Sequence, residues 1–323
     1  MNAVSQSPEK LELVVGAKTE LAAGIVLFEL RRPDGGPLPA FEAGAHLVVC
    51  TPAGVLRRYS LCSAPSERGH YQIGVKRDPA GTGGSVSMAD RLAVGNTIIV
   101  TPPVNYFPLV AQAGSNLLIA GGIGITPILA MARHLKAIEA PFRLIYCARS
   151  EEAAAFVDVL AAPEFADRVV IHYDGGDPAR ALDFSHLLAG HPARAHLYCC
   201  GPRPLMQTVR DAAKHWPVGT VHFEDFGTSA QPDSGAERAF QVRLARSGIV
   251  VAVPAGISIL EALRARGVDV PSSCEAGTCG SCRTGLLAGV VEHRDFVLDD
   301  DEQDSNIMIC VSRAQSEELT LDA

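Results

Sequence analysis

No stretch of the chain stays apolar for the roughly 18 consecutive residues that a membrane span needs. The run from Asn116 to Ala130, for example, is broken by glycines and a proline. Positive charge is also scarce: 28 Lys and Arg stand against 36 Asp and Glu, a formal net charge of −8. That balance argues against nucleic acid or an anionic membrane as the main partner, since both require concentrated cations. It leaves a positively charged protein partner open. The chain starts without the charged and apolar regions of a secretory signal, and its nine cysteines are an odd number, so a disulfide framework fits poorly. The ten histidines show no short metal-ligand spacing and read as structural or surface residues. Internal repeats are absent. A cytoplasmic protein with reduced thiols is the expectation.

What is present is a tight cysteine triplet. Cys274, Cys279 and Cys282, with Cys310 downstream, have the Cys-x4-Cys-x2-Cys…Cys spacing of a plant-type [2Fe–2S] site. The stretch from Ser272 to Cys282 is rich in small residues, so its backbone can wrap closely around sulfides and turn amide N–H groups toward them. A structural zinc site is the competing metal reading, but such sites show two closely spaced ligand pairs rather than a triplet and one remote thiolate. The other cysteines, Cys50, Cys62, Cys147, Cys199 and Cys200, lie in apolar runs and read as small buried thiols.

The length, 323 residues, suggests two or three domains, and the pattern supports three. From Leu11 to about Thr101, short β-rich runs (Gly24–Leu30, His46–Cys50, Leu56–Leu61, Tyr71–Val75, Thr97–Val100) alternate with Gly/Pro/Asp turns, which suggests a small barrel or sandwich. From Leu117 the pattern changes. Apolar strands at Leu117–Ala120, Phe142–Cys147, Val169–Tyr173 and Ala195–Cys199 accompany helical candidates at Ile128–Ile138, Ala153–Leu160 and Leu205–Trp216, the signature of a parallel α/β sheet covered on both faces. Gly227 to Ala236 is almost free of apolar side chains and reads as a flexible linker. The expected division is residues 1–108, 109–227, a linker at 228–238, and 239–323 carrying the cysteines.

Directly after the strand Leu117–Ala120 comes Gly121-Gly122-Ile123-Gly124-Ile125-Thr126-Pro127 and then an apolar helix. Glycines let a backbone approach a pyrophosphate, Thr126 can cap the helix, Pro127 suits its first turn, and a helix N-terminus attracts anions. The turn departs from the dinucleotide fingerprint in two ways: Pro127 replaces the third glycine, and the next strand ends in Ala148-Arg149-Ser150 with no acid for a ribose. The choice between NAD and NADP is therefore open at this stage. A second glycine-rich helix start, Gly81-Thr82-Gly83-Gly84-Ser85 before Val86–Leu92, is a second phosphate candidate. Arg57-Arg58-Tyr59-Ser60 ends a strand with cations, a stackable ring and a hydroxyl. Nicotinamide releases two electrons as hydride while a [2Fe–2S] cluster takes one at a time, so a flavin is needed between them.

Taken together, these motifs resemble the phthalate dioxygenase reductase family over essentially the whole chain. The resemblance implies an antiparallel β-barrel for the flavin, a central parallel α/β nucleotide-binding domain and a C-terminal β-grasp ferredoxin domain. In that family Arg-x-Tyr-Ser binds FMN, which implies that Arg57 faces the phosphate, Tyr59 packs on the flavin and Ser60 bonds near its reactive nitrogen. Val75 and Lys76 would line the flavin, and Gly83, Gly84 and Ser85 would hold its phosphate. Gly121, Gly122, Gly124, Thr126 and Pro127 would take the nicotinamide dinucleotide, with Thr126 reaching the flavin side. Cys200, Gly201 and Pro202 resemble the turn beside the nicotinamide, and His222 to Gly227 the segment closing the domain, with Glu224 near the reacting atoms and Phe226 shielding the flavin. Ser60, Thr126, Cys200 and Glu224 are thus the catalytic candidates, and Cys274, Cys279, Cys282 and Cys310 the cluster ligands. The cofactors implied are FMN, a [2Fe–2S] cluster and NADH, with NADPH open.

The expected activity passes electrons from nicotinamide through FMN and the cluster to the oxygenase component of a Rieske-type aromatic dioxygenase or O-demethylase, by a monomeric chain. Two alternatives stand beside it: an electron donor to a haem monooxygenase, and a non-enzymatic redox sensor. The acidic run Asp299 to Glu302 with Asp304 reads as a solvated loop or as a docking face for a basic partner.

Overall fold

The computed structural model describes residues 10–110, 113–165, 167–226 and 238–323. The expected linker lies outside the described residues, apart from Arg238. The described chain divides into two compact units, one ending at Glu224 and one beginning at Asp225.

The first unit opens with an antiparallel sheet of β1 (Leu11–Ala22), β2 (Ile25–Arg31), β3 (Ala45–Cys50), β4 (Leu56–Ser60), β5 (Tyr71–Lys76), β6 (Thr97–Val100) and β7 (Val104–Asn105), with helix α1 (Gly84–Arg91) between β5 and β6. Strand order is β4-β3-β6-β1-β2-β5, with β7 beside β3, and a bridge between Leu61 and Ile73 joins the two ends into a barrel. Alternation drives closure: Tyr71, Ile73 and Val75 of β5 are fully buried and meet Phe28, Leu30, Leu47 and Val49 inside. Alternation also corrects one expectation. Val49 points into the core, so its neighbour Cys50 points out and is exposed instead of buried.

The chain continues through β8 (Ser115–Gly121), α2 (Ile125–Ala137), β9 (Phe142–Ala148), α3 (Val157–Leu160), β10 (Val169–Tyr173), α4 (Phe184–Leu187), β11 (Ala195–Cys200), α5 (Arg203–Ala212) and β12 (Val221–Glu224). The strands form a parallel sheet in the order β10-β9-β8-β11-β12. Its order reverses at β8, so the crevice at the carboxyl ends of β8 and β11 is where an open α/β sheet binds ligands. One expected helix is much shorter than read. Glu151–Ala153 form a 3-10 turn, Ala154 is extended and Phe156 is left-handed (φ 64°), which leaves only Val157–Leu160 as α-helix. Barrel and sheet share a core in which Ile25, Ala43, Cys62 and Phe107 pack with Ile125, Ile128, Leu129 and Ala132 of α2.

The second unit comprises β13 (Phe240–Leu244), β14 (Val250–Val253), α6 (Ile259–Ala265), β15 (Arg283–Ala288), β16 (Val291–Glu292), α7 (Asp300–Gln303), β17 (Asn306–Met308), β18 (Arg313–Ala314) and β19 (Glu318–Leu321). Its sheet runs β14-β13-β19-β15-β17, with the central pair β13 and β19 parallel and their neighbours antiparallel. A Ser258–Glu261 capping box starts α6, whose Ile259, Leu260 and Leu263 fill the core beneath the sheet. A mixed sheet gripping one helix is the expected β-grasp.

Candidate redox site

At the switch point the two crossover turns interlock. A Cβ on Gly124 would lie 2.2 Å from the Cys200 carbonyl oxygen, and one on Gly121 would lie 2.7 Å from Pro202 Cδ. Only glycine allows this approach of backbone to backbone. Gly122 is left-handed (φ 52°) and begins a 3-10 turn that leads into α2. Thr126 does not cap the helix as expected. Gly124 holds the N-cap position, and Thr126 sits inside the first turn, where its hydroxyl donates to the Ile123 carbonyl at 3.0 Å. No side chain caps α2, so the positive end of its dipole faces the glycine turn, although the Ile125 amide already donates to the Gly122 carbonyl and Pro127 carries no N–H. Pro127, Cys200 and Thr126 are buried beside this turn, and Gly201 and Pro202 lead from it into α5.

The barrel presents a second cradle. Gly83, left-handed at φ 87°, is the N-cap of α1, again without a side-chain cap. Arg57 lies over it: its guanidinium donates to the Thr82 hydroxyl, and a Cβ on Gly84 would come 3.0 Å from Arg57 Cγ. Ser85 Oγ accepts from the Asp78 amide at 3.1 Å, which holds the loop. The Tyr59 hydroxyl is buried with no hydrogen-bond partner among the described residues, and burial pushes its pKa up to about 12, so it stays a donor. An orphan donor beside a cation and an uncapped helix fits a phosphorylated ligand with acceptor atoms, as a flavin phosphate has.

The barrel and the sheet that carry the two cradles meet. Ser60 Oγ donates to Glu224 Oε2 at 3.4 Å, and a Cβ on Gly74 would come 2.8 Å from Thr126 Cγ2. Val75 faces the barrel core and Lys76 is exposed at the strand end. Phe226, beyond Glu224 in the second unit, is 41% exposed. An acid missing after β9 stands after β10 instead. Asp174 is joined through its amide to the Ala148 carbonyl (3.2 Å), and the neighbouring Gly175 amide donates to the Arg149 carbonyl (2.9 Å). The acid followed by two glycines, Asp174-Gly175-Gly176, was the signal in the sequence.

In the second unit, Cys274, Cys282 and Cys310 are buried and Cys279 is partly exposed, all outside helices and strands. The thiols pair as Cys274 with Cys279 and Cys282 with Cys310. The Ala276 amide points at Cys274 Sγ and the Cys274 amide at Cys279 Sγ, each at 3.4 Å, and Ser281 Oγ is 2.8 Å from Cys279 Sγ. The Cys274 thiol, helped by the Ser281 hydroxyl and opposed by burial, draws Cys279 down to about 5, favouring a thiolate. Among the described residues no three His, Cys, Asp or Glu side chains converge as a single-ion site. Two thiol pairs suit two irons better than one zinc. The loop depends on Gly277 (φ 74°), where a Cβ would come 2.7 Å from Val311 Cγ2, and on Asp295, whose fully buried carboxylate accepts from the amides of Val297 (3.0 Å) and Leu298 (2.8 Å). Arg264 braces Glu275 at 2.8 Å. Neither brace is marked by spacing in the sequence.

Residues 12–108 match the family described as "Oxidoreductase FAD-binding domain", and residues 242–315 match "2Fe-2S iron-sulfur cluster binding domain". The chain is 54% identical over 311 residues to the phthalate 4,5-dioxygenase oxygenase reductase subunit of Pseudomonas putida, covering 96% of each. The chain belongs to the phthalate dioxygenase reductase family. It is an NAD(P)H-dependent flavin and iron–sulfur oxidoreductase. The solved structure of phthalate dioxygenase reductase, titled as a modular structure for electron transfer from pyridine nucleotides to [2Fe–2S], is 51% identical and superposes with TM-score 0.71, covering 97% of this chain and 98% of that one. An intact type IV self-sufficient cytochrome P450 monooxygenase is 38% identical, with TM-score 0.70, covering 97% of this chain and 41% of that one. The three-module architecture expected from the sequence is the one found. Among the described residues of this reductase, no helix is long and apolar enough to cross a membrane.

Proposed function

We propose that this chain is the NADH-dependent reductase component of an aromatic-ring oxygenase system, with FMN as its flavin and a Rieske-type oxygenase as its electron acceptor. The observation that carries the reading is that the barrel and the sheet, each carrying one anion cradle, meet where Ser60 and Glu224 lie 3.4 Å apart. Bound flavin accepts two electrons as hydride from nicotinamide and, with the cluster, delivers them singly to the acceptor.

The chain's part in this chemistry is positioning and electrostatics. Arg57 and the α1 N-terminus (Gly83, Gly84, Ser85) hold the flavin phosphate, Tyr59 donates to the flavin, and Lys76 lines it, with Val75 offering backbone only because its side chain is turned into the barrel core. The α2 N-terminus, with Gly121, Gly122, Gly124 and Pro127, takes the dinucleotide phosphates, and the Cys200-Gly201-Pro202 turn borders the nicotinamide. Thr126 closes the gap to Gly74. Ser60 and Glu224 orient the reacting atoms. Asp174, at the tip of the strand beside Arg149, is suited to a ribose diol and repels a 2′-phosphate, which is why NADH is proposed over NADPH. Cys274 and Cys279 hold one iron, Cys282 and Cys310 the other. The net charge of −8 leaves nucleic acid and membranes out of the proposed partners. A cytoplasmic monomer is proposed.

Likeness to a self-sufficient P450 favours a second reading, an electron donor to a haem monooxygenase. Turnover with purified Rieske and haem acceptors separates the two. The deciding experiment is an anaerobic NADH titration followed by visible absorption and low-temperature electron paramagnetic resonance, with heat-released flavin identified by chromatography. Bleaching of flavin and iron–sulfur bands with a reduced-cluster signal supports the reading. An unbleached spectrum after reconstitution removes it and leaves the sensor alternative.

A further inference from the structure

Helix α2 does more than offer its N-terminus to an anion. Thr126 and Arg133 are seven residues apart, two turns, and so share one face of the helix about 10 Å apart. That face lies on β5, where Gly74 and Gln72 point to the same side of the strand about 7 Å apart. Thr126 Cγ2 occupies the space that a side chain on Gly74 would fill. Two turns on, the Arg133 guanidinium donates to the Cys62 carbonyl (2.5 Å) and to Gln72 Oε1 (3.1 Å). Cys62 follows Ser60 by two residues, and its own thiol and amide both bond the Gln72 carbonyl, at 3.3 and 2.9 Å. One guanidinium therefore grips the chain leaving β4 and the start of β5, the two strands proposed to carry the flavin, from the helix proposed to carry the dinucleotide.

We propose that Arg133 is a positioning residue for hydride transfer. With the Thr126–Gly74 contact it forms a two-point clamp that sets the distance and angle between nicotinamide and flavin. The apolar packing of Ile125, Ile128, Leu129 and Ala132 on the barrel holds α2 against β5 but is non-directional, so small shifts of the helix along the strand are left to the polar and close contacts to prevent. Arg133 supplies the second point, and its Nη1 alone reaches acceptors on two segments at once, held in place by the planar guanidinium, which a lysine ammonium on a flexible stem does less rigidly. The inference rests on the reading of the two cradles given above.

The test uses the full-length holoprotein, with Arg133→Met removing the donors at similar length, Arg133→Lys restoring a charge, and Gly74→Ala pushing at the other point. Anaerobic rapid mixing with NADH reads the flavin reduction rate, the NADH concentration dependence, and the long-wavelength absorption of stacked nicotinamide and flavin. For Arg133→Met the rate at saturating NADH falls roughly 10- to 100-fold, the loss a displacement near 1 Å produces. Half-saturation stays within about twofold, and flavin content is kept. The stacking absorption weakens, Arg133→Lys recovers part of the rate, and Gly74→Ala reproduces the Arg133→Met pattern from the opposite end. A rate and stacking band equal to wild type in Arg133→Met, or a rate loss that only tracks lost flavin, overturns the inference. If NADH fails to reduce the wild-type flavin, the reading of the cradles falls first; if wild type is reduced and the variant is unaffected, the clamp alone falls.

Discussion

In the unit that ends at Glu224, most proposed cofactor contacts sit where a regular element begins or ends: α1 after Gly83, α2 after Gly124, β4 at Ser60, β11 at Cys200. In the unit that begins at Asp225, all four cysteines lie outside helices and strands, on a loop and a turn held by Gly277, Asp295 and Arg264. Backbone ends are present whether or not a phosphate is bound, so the first unit is built before its organic cofactors arrive. The cysteine loop has its strongest cross-links in the bonds to iron, and for such loops metal binding and folding are coupled. Losing a contact in the first unit should therefore weaken a cofactor by degrees, while losing one in the second should remove the group outright.

Cys279→Ser breaks this comparison hardest. Substitution leaves one iron with a single thiolate, and the expected outcome is loss of the cluster signal and of cytochrome c reduction, while flavin content and ferricyanide reduction by NADH persist. Retention of cytochrome c reduction would remove the cluster from the electron path. Gly124→Ala is the counterpart in the first unit. Its Cβ would meet the Cys200 carbonyl oxygen at 2.2 Å and the carbonyl carbon at 2.5 Å, and neither is a side chain that can yield. A cost of about 3 kcal/mol or more is expected, with a lower melting temperature for the first unit and weakened NADH binding. The visible circular dichroism of the cluster should be unchanged.

Acid sharpens the comparison further. Burial, followed by the Arg58 charge, pulls His46 down to about 4, and burial, followed by His196, does the same to His222. Unfolded histidine titrates near 6.5, so between about pH 6.5 and 4 the unfolded chain binds protons that the folded one refuses. Stability of the first unit falls as pH drops through that window, by roughly 2–3 kcal/mol for each residue, and is undiminished by these two groups above it. Only one of the ten histidines, His293, belongs to the second unit. Thermal unfolding followed at both the flavin and the cluster should show the flavin transition moving down on acidification, and His46→Gln should reduce that movement. An equal movement without His46 and His222 would place the sensitivity elsewhere.

How much of this was legible in the chain divides along physical lines. Features written in local period or spacing came through: the four cysteines, the apolar strands of the parallel sheet, and the two glycine-rich helix starts. Long β1 was not read as one strand because register shifts at Val15/Ala17 and Glu20/Ala22 break its alternation. The alanine-rich run before Leu160 suggested a helix on propensity alone, yet Ala154 and Ala155 are buried in the shared core and Phe156 turns left-handed to follow them. Contacts that span the sequence left no local mark. Gly74 against Thr126, Arg133 on Cys62, and Ser60 on Glu224 exist only because the barrel and the sheet pack on a common core. The site was legible as parts; their convergence was not.

The smallest expected effect, Arg57→Ala, tests whether the first unit does hold its cofactor by degrees. Arg57 is only partly buried, and two of its contacts, the Thr82 hydroxyl and the Leu56 carbonyl, belong to the protein itself. The uncapped α1 N-terminus stays in place without it. A charge-assisted bond contributes about 1.5–3 kcal/mol, and solvent access puts this one at the lower end, so flavin affinity should weaken about tenfold. The reduction rate of molecules that keep their flavin should stay near wild type, because the phosphate end is remote from Ser60 and Glu224 in function. Fluorescence titration of deflavinated protein with FMN gives the affinity, and high ionic strength should narrow the gap between wild type and variant. A complete loss of flavin would mean that one side chain, like one cysteine of the second unit, is indispensable, and the contrast between the two units would fail at that point.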